Sequence, residues 1–222
     1  MEPFSELLKS AYAGAYNTTW RGPYSLRKEE VNHQYFEIRD NEPTIVQTAE
    51  HGVARFYNPQ GEQWEIIDFE HFVNQFTQRL EAGKGKKCDF ILAPLEHQNF
   101  IVLNELSHLH RDSLHHFKEE NEGWGKQEKA FAQLSSSIEK LYRSQEIASR
   151  LDATKRKVGL FSARLKEPVE TTRENDAALH SISTFLKPLA EQPIVVRQNS
   201  LPHGFDFVRV FYPHAFQLSP AI

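Results

Sequence analysis

KKCDFILAPLEHQNFIVLNELS, residues 86–107, decides the fold of this chain. Two apolar runs, CDFILA (88–93) and NFIVLNEL (99–106), flank a loop that contains Pro94. Each is short, rich in β-branched and aromatic residues, and bounded by turn signals, so the pair reads as two consecutive strands. Strand alternation puts Ile101, Leu103, Glu105 and Ser107 on one face, and Phe100, Val102 and Asn104 on the other. A glutamate ending an apolar face is costly if buried alone, because an ionised carboxylate needs a partner or a metal. Asp89 opens the first run behind Lys86 and Lys87, and pairing of the two strands would bring it near Glu105. Two carboxylates facing one cleft suit a hard cation, Mg²⁺ or its substitute Mn²⁺, with waters and phosphate oxygens completing the shell. That is the chemistry of phosphodiester hydrolysis.

Outward from this stretch the elements alternate. The stripe Phe69, Phe72, Val73, Phe76 and Leu80 predicts a helix over 69–82, stopped by Gly83 and Gly85. A long helix is expected over 128–150, its buried face made by Phe131, Leu134, Ile138, Leu141, Tyr142 and Ile147. KVGLFSARL (157–165) reads as a strand, 175–189 as a helix, and PIVVRQ (193–198) with DFVRVFY (206–212) as a final hairpin. Toward the N-terminus, 3–13 has helical spacing. HQYFEIR, TIVQT, GVARFYN and EQWEIIDF, between 33 and 69, read as an antiparallel meander with a turn at Asn58-Pro59-Gln60-Gly61. The expected class is α/β (α+β) in one domain over 1–222. Residues 1–68 form an N-terminal helix and β-meander extension, and residues 69–222 form the core.

Composition narrows the function classes. With 39% hydrophobic residues, sixteen Phe among them, the chain can bury a core. The formal charge of −4 excludes an overall basic field, so any DNA or RNA contact has to be local. Two basic clusters offer it: Lys84, Lys86 and Lys87 before the first strand, and Lys155, Arg156 and Lys157 before the later one. No stretch approaches the roughly 20 apolar residues of a membrane span. Cys88, the single cysteine, has no internal disulfide partner. A reducing, cytoplasmic location without membrane association is expected.

KKCDFILA, NFIVLNELS and the helical KAFAQL (129–134) together resemble the PD-(D/E)XK (restriction-endonuclease-like) superfamily, over about residues 70–165. Its members carry an Asp at the start of one strand, a Glu two residues before a Lys on the next, and then a helix. The resemblance implies a restriction-endonuclease-like core, a mixed sheet flanked by helices, acting on nucleic acid. Asp89 and Glu105 would be the metal ligands, and Gln133 matches a Gln often seen in the helix. Position 107, where the lysine belongs, is Ser107. A hydroxyl cannot replace an ammonium electrostatically. Two readings follow. Either Lys129, one helical turn before Gln133, supplies the ammonium (with Lys126 a further turn back), or the chain is a catalytically inactive interaction or regulatory protein, of the kind that serves phage defence or a mobile element. Glu70 and Glu65 are candidates for the upstream acid. The strand expected between the first helix and Asp89 has no counterpart there and would have to come from 44–69.

Rival constellations exist. His108-x-His110-x-Asp112 resembles the metal motif of metallo-β-lactamase-like hydrolases, with Ser113 in place of the final His. A looser zinc site could be drawn from His108, His110, His115 and His116, and Arg173 with His180 has the spacing of HEPN ribonucleases. No Walker loop, GxSxG elbow or dinucleotide fingerprint is present.

Overall fold

The computed structural model describes residues 2–15, 24–39, 45–46, 52–76, 87–109, 126–165, 194–195 and 200–219. The strands in chain order are β1 (Lys28–Val31), β2 (Tyr35–Ile38), β3 (Ile45–Val46), β4 (Ala54–Tyr57), β5 (Trp64–Asp68), β6 (Phe90–Pro94), β7 (Phe100–Leu109), β8 (Arg156–Leu165), β9 (Ile194–Val195), β10 (Asp206–Phe211) and β11 (Ala215–Gln217). The helices are α1 (Phe4–Leu7), which runs through a π-helical stretch (Leu8–Tyr12) into α2 (Ala13–Ala15), then α3 (Phe69–Asn74), α4 (Lys126–Tyr142) and α5 (Gln145–Asp152).

The quoted stretch does pair. β6 and β7 run antiparallel, with Phe90 opposite Asn104 and Leu92 opposite Val102. They lie at the middle of a seven-stranded mixed sheet ordered β1-β5-β6-β7-β8-β10-β9. β1, β5, β6 and β7 are antiparallel neighbours, while β7, β8 and β10 are parallel. The β7–β8 connection is the helical crossover through α4 and α5, which a parallel pair requires. A second, four-stranded sheet is ordered β11-β4-β2-β3.

Alternation along the central strands separates two cores. Ile91, Ile101, Leu103 and Phe161 face the helices, where they meet Leu8, Phe72, Leu134, Ile138 and Leu151. Leu92, Phe100, Val102, Leu160 and Val208 face the smaller sheet and its Phe36, Phe56 and Phe216. The chain is thus layered as helices, large sheet and small sheet, with both faces of the large sheet dry.

Four expectations change. The 33–69 meander is divided: β2 and β4 enter the small sheet, where β2 lies between β3 and β4, whereas β5 crosses into the large sheet beside β6. β5 therefore supplies the strand that precedes β6. The helix from 69 ends at Asn74, with Phe76 still buried in the turn after it; Leu80 and the glycine stops lie outside the described residues. The helix expected over 128–150 is two helices, because Ser144 accepts from the Ile147 N–H (3.4 Å) and starts a new one. β7 extends to Leu109, three residues beyond the expected run, so Ser107 and His108 belong to the strand. The helix expected over 175–189 lies outside the described residues, as do Arg173 and His180.

Gly159 lets Leu201 pack against the sheet. A Cβ there would lie 2.2 Å from Leu201 Cδ1 and 3.5 Å from Leu134 Cδ1. Gly159 stands opposite Leu103 on β7, two residues before Glu105 along the same face. The absence of a side chain at 159 therefore makes room for Leu201, while Leu134 of α4 packs at ordinary contact distance.

Candidate functional site

Asp89 occupies the bend just before β6. Its N–H donates to the Asn104 carbonyl (3.1 Å), and its Oδ2 accepts from the Leu106 N–H (2.7 Å). Those two bonds bracket Glu105, so Asp89 stands across from it at the end of the antiparallel ladder. A carboxylate that accepts a backbone N–H is held in one orientation by a charge-assisted bond. The other side of Asp89 is fixed by α3. Its carbonyl accepts from Phe69 N (2.9 Å) and Glu70 N (3.1 Å), while Asp68 caps His71 N (2.9 Å). The first turn of α3 is therefore anchored on the residue that carries the carboxylate.

Glu105 is 7% exposed and lies on the helix-facing side of β7 with Ile101 and Leu103. Gln133 reaches down from α4, and its Nε2 donates both to Glu105 Oε1 (2.6 Å) and to the Lys87 carbonyl (3.2 Å). One turn later Ser137 Oγ accepts from Cys88 N (2.7 Å). The Lys87 carbonyl and the Cys88 N–H belong to one peptide group. Gln133 and Ser137, at i and i+4 on α4, hold that peptide from both ends. The sequence thus gives Asp89, Glu105 and Gln133 a common location and a shared set of bonds.

Two lysines that the motif reading left out lie beside them. Lys87 is 9% exposed and Lys140, one turn beyond Ser137, is 6% exposed. The Lys87 ammonium bonds the Asn74 side chain and lies 4.0 Å from Glu70 Oε1. Burial lowers the pKa of Lys87, with Glu70 opposing, and burial together with the Lys87 charge lowers that of Lys140. Burial also drives the Cys88 thiol well above its ordinary value, and the charges of Glu105 and Asp89 add to the effect while the Ser137 bond opposes it. Cys88 is therefore a core thiol and not a nucleophile. The signal for Lys140 was in the sequence: Ser137 and Lys140 interrupt a stripe otherwise made of Ala130, Leu134, Ile138 and Leu141.

The other candidates fall elsewhere. Lys129 and Lys126 are exposed on α4, and Lys129 has no hydrogen bond or ion pair among the described residues. Glu70 is exposed beside Lys87, whereas Glu65 is fully buried under α1, accepting from Ser5 N (3.1 Å) and pairing with Lys28 (3.6 Å). Of the two basic clusters, only Lys87 of the first is described, and the second lies away from it. Arg156 is level with Phe100 at the start of β7, five residues from Glu105, or about 16 Å along the strand. It stacks on Phe100 and bonds the Ser219 carbonyl, while Lys157 donates to Tyr142 Oη (3.3 Å). Lys84 and Lys86 lie outside the described residues, as do His110, Asp112, Ser113, His115 and His116. Alternation places His108 on the face of β7 opposite Glu105.

Among the described residues no three His, Cys, Asp or Glu side chains converge as a metal-binding group. The donor set near Asp89 is two carboxylates, Asp89 Oδ2 accepting from the Leu106 N–H and Glu105 Oε1 from Gln133. That fits Mg²⁺, which keeps several waters and takes one or two carboxylates plus substrate phosphates. It does not fit a closed structural zinc site, which needs four protein ligands. Among the described residues no helix is long and apolar enough to cross a membrane. The chain matches no protein-family model, and comparison with curated proteins and with solved structures finds no match.

Proposed function

We propose that this chain is a PD-(D/E)XK-like protein that hydrolyses phosphodiester bonds in DNA or RNA, with Asp89 and Glu105 as ligands of Mg²⁺ or Mn²⁺. The observation that carries the reading is the bracketing of Glu105 by Asp89 beneath a crossover helix whose Gln133 donates to Glu105. The order β5-β6-β7-α4-β8, antiparallel up to β7 and parallel after the helix, agrees with a restriction-endonuclease-like core. Asp89 and Glu105 present the ligand oxygens. Gln133 orients Glu105, and the pinned 87–88 peptide sets the direction in which Asp89 leaves the strand. The ion, when bound, supplies Lewis-acid stabilisation of charge on a phosphoryl group.

The test is cleavage of single- and double-stranded DNA and RNA with Mg²⁺ or Mn²⁺ by wild type, Asp89→Ala and Glu105→Ala. The expected result is metal-dependent cleavage that both substitutions abolish. Cleavage that survives both would put the chemistry elsewhere. A second reading, a binding or regulatory protein on the same fold, is favoured by one observation: Ser107 replaces the motif lysine while Lys129 points into solvent without a partner among the described residues. It predicts that Mn²⁺ raises Tm in wild type and not in Asp89→Ala, with no turnover. Loss of both the cleavage and the Tm response would remove both readings.

A further inference from the structure

We propose that the outer face of the small sheet binds single-stranded nucleic acid, stacking a base on the Tyr35–Tyr57 pair and taking the adjoining phosphate on Arg55. The inference deepens the nucleic-acid reading above and rests on it for the choice of polymer, but its residues lie across the large sheet from the acid pair. Phe36, Ile38, Ala54, Phe56 and Phe216 belong to the core between the two sheets. Alternation therefore sends Tyr35, Glu37, Arg55, Tyr57, Ala215 and Gln217 outward from β2, β4 and β11. Tyr35 stands opposite Tyr57 and the rings stack, their centroids 4.7 Å apart and their planes 23° from parallel. The Arg55 guanidinium lies 5.4 Å from the Tyr35 ring centroid. Tyr35 is 48% exposed, the one large hydrophobic side chain so exposed among the described residues.

The polar groups of this face are open to a ligand. Neither tyrosine hydroxyl has a hydrogen-bond partner among the described residues. Arg55 faces Glu37 through Nε at 3.8 Å, beyond hydrogen-bond reach, and its side chain is 32% exposed. Glu37, the single carboxylate at these outward positions, is buried, and its Oε2 accepts from the Gly52 N–H (3.0 Å). The Gly52 carbonyl accepts in turn from Arg164 (3.0 Å), whose guanidinium lies 4.4 Å from the Tyr212 ring centroid. Two arginines thus flank one buried acid, each against a tyrosine ring. Ring faces suit unstacked bases, and guanidinium donors suit phosphates, a combination that a single strand can use. A duplex hides its base faces in its own stack, and a neutral sugar gains no charge complementarity from the arginines. Arg164 also ties this face to the large sheet. It lies three residues beyond Phe161, which is level with Glu105, or about 10 Å along the strand.

The experiment follows the anisotropy of a labelled oligothymidylate with the full chain in EDTA across a salt series. Competitors are the unlabelled single strand, its duplex with oligodeoxyadenylate, and the neutral oligosaccharide cellohexaose. Wild type should bind the single strand, and neither the duplex nor the sugar should displace it. Tyr35→Leu and Tyr57→Leu should each weaken binding at least about fivefold, the lower bound for one stacked base, while Tyr35→Phe, which keeps the ring, binds as wild type does. Arg55→Gln should weaken binding at least about tenfold and reduce the slope of log affinity against log salt by about 0.7, one phosphate contact on a single strand. Lys155→Gln, just before β8, should change neither. No binding by wild type, displacement by the duplex as ready as by the single strand, displacement by cellohexaose, or a Tyr35→Leu chain with a lower Tm and unchanged affinity would each overturn the proposal. Cleavage in Mg²⁺ separates the two claims. Wild type that binds through Tyr35 and Arg55 but never cleaves keeps the stacking face and loses the nuclease reading, whereas metal-dependent cleavage with binding indifferent to both residues does the reverse.

Discussion

Replacing Gln133 tests whether one amide organises the site. Its Nε2 makes two bonds, a charge-assisted one to Glu105 at 2.6 Å and a neutral one to the Lys87 carbonyl at 3.2 Å. Bonds to a charged group contribute about 1.5–3 kcal/mol and neutral ones about 0.5–1.5 kcal/mol. Glu105 is only 7% exposed, so solvent cannot readily replace the lost donor and the upper half of each range applies. Gln133→Leu, which keeps the volume and removes both N–H groups, should therefore cost about 3–4.5 kcal/mol. For a chain of this length that lowers Tm by about 6–18 °C. Gln133→Glu should be worse near neutral pH, because it adds a like charge beside Glu105. The difference between the two variants should shrink as pH falls through the carboxylate range, where one shared proton relieves the repulsion. Thermal melts in EDTA, followed by circular dichroism across pH, measure both effects. A Gln133→Leu protein within about 2 °C of wild type, or a Gln133→Glu protein no less stable than Gln133→Leu at neutral pH, would refute the reasoning.

Three further outcomes are expected. Gly159→Ala, whose Cβ would meet Leu201 Cδ1 at 2.2 Å, should cost about 1–3 kcal/mol in urea unfolding, the range for overpacking, and an unchanged midpoint would show that Leu201 yields freely. Ser107→Lys, on the half-buried Glu105 face of β7, should raise metal-dependent cleavage at least about tenfold if a missing ammonium limits the rate; an unchanged rate would locate the limit elsewhere. Lys140→Met should raise Tm over wild type, because burial penalises the ammonium, and the advantage should narrow as pH rises. The folded pKa of Lys140 lies below the ordinary 10.5, so between the two values the unfolded chain binds more protons and wild-type stability climbs with pH. A gap independent of pH in that window would mean that the charge of Lys140 is not what destabilises the fold.

The central strands were legible because each carries its own evidence. Phe90–Ala93 and Phe100–Leu103 are apolar on both faces, and both faces are covered, one by helices and one by the second sheet. Glu105 stood out because it ends such a run. What local pattern could not assign was membership. Trp64–Asp68 reads like the strands before it, and only pairing with β6 separates it from the small sheet. β1, KEEV, was invisible because an edge strand carries charges that blunt further pairing. The break between α4 and α5 hid behind a continuous apolar stripe, since Leu141, Ile147 and Leu151 are all fully buried across it. The lysines were missed for a related reason. Lys87 was grouped with Lys84 and Lys86 as a basic cluster able to meet nucleic acid, and Lys140 drew no reading; both are buried in the fold.

Gln133 also bears on why a neutral donor stands so close to Glu105. Carboxylates at facing positions of an antiparallel pair lie about 5 Å apart and repel by about 3 kcal/mol at an effective dielectric near 20. A lysine bonded to Glu105 would cancel much of that repulsion and, with it, much of the pair's attraction for a cation. An amide orients Glu105 and leaves its charge intact. The free protein then carries the repulsion as a cost, and a divalent ion, attracted to both carboxylates at once, relieves more of it than any monovalent ion can. Lys87 does not supply the cancelling charge: its ammonium bonds Asn74 and faces Glu70 instead.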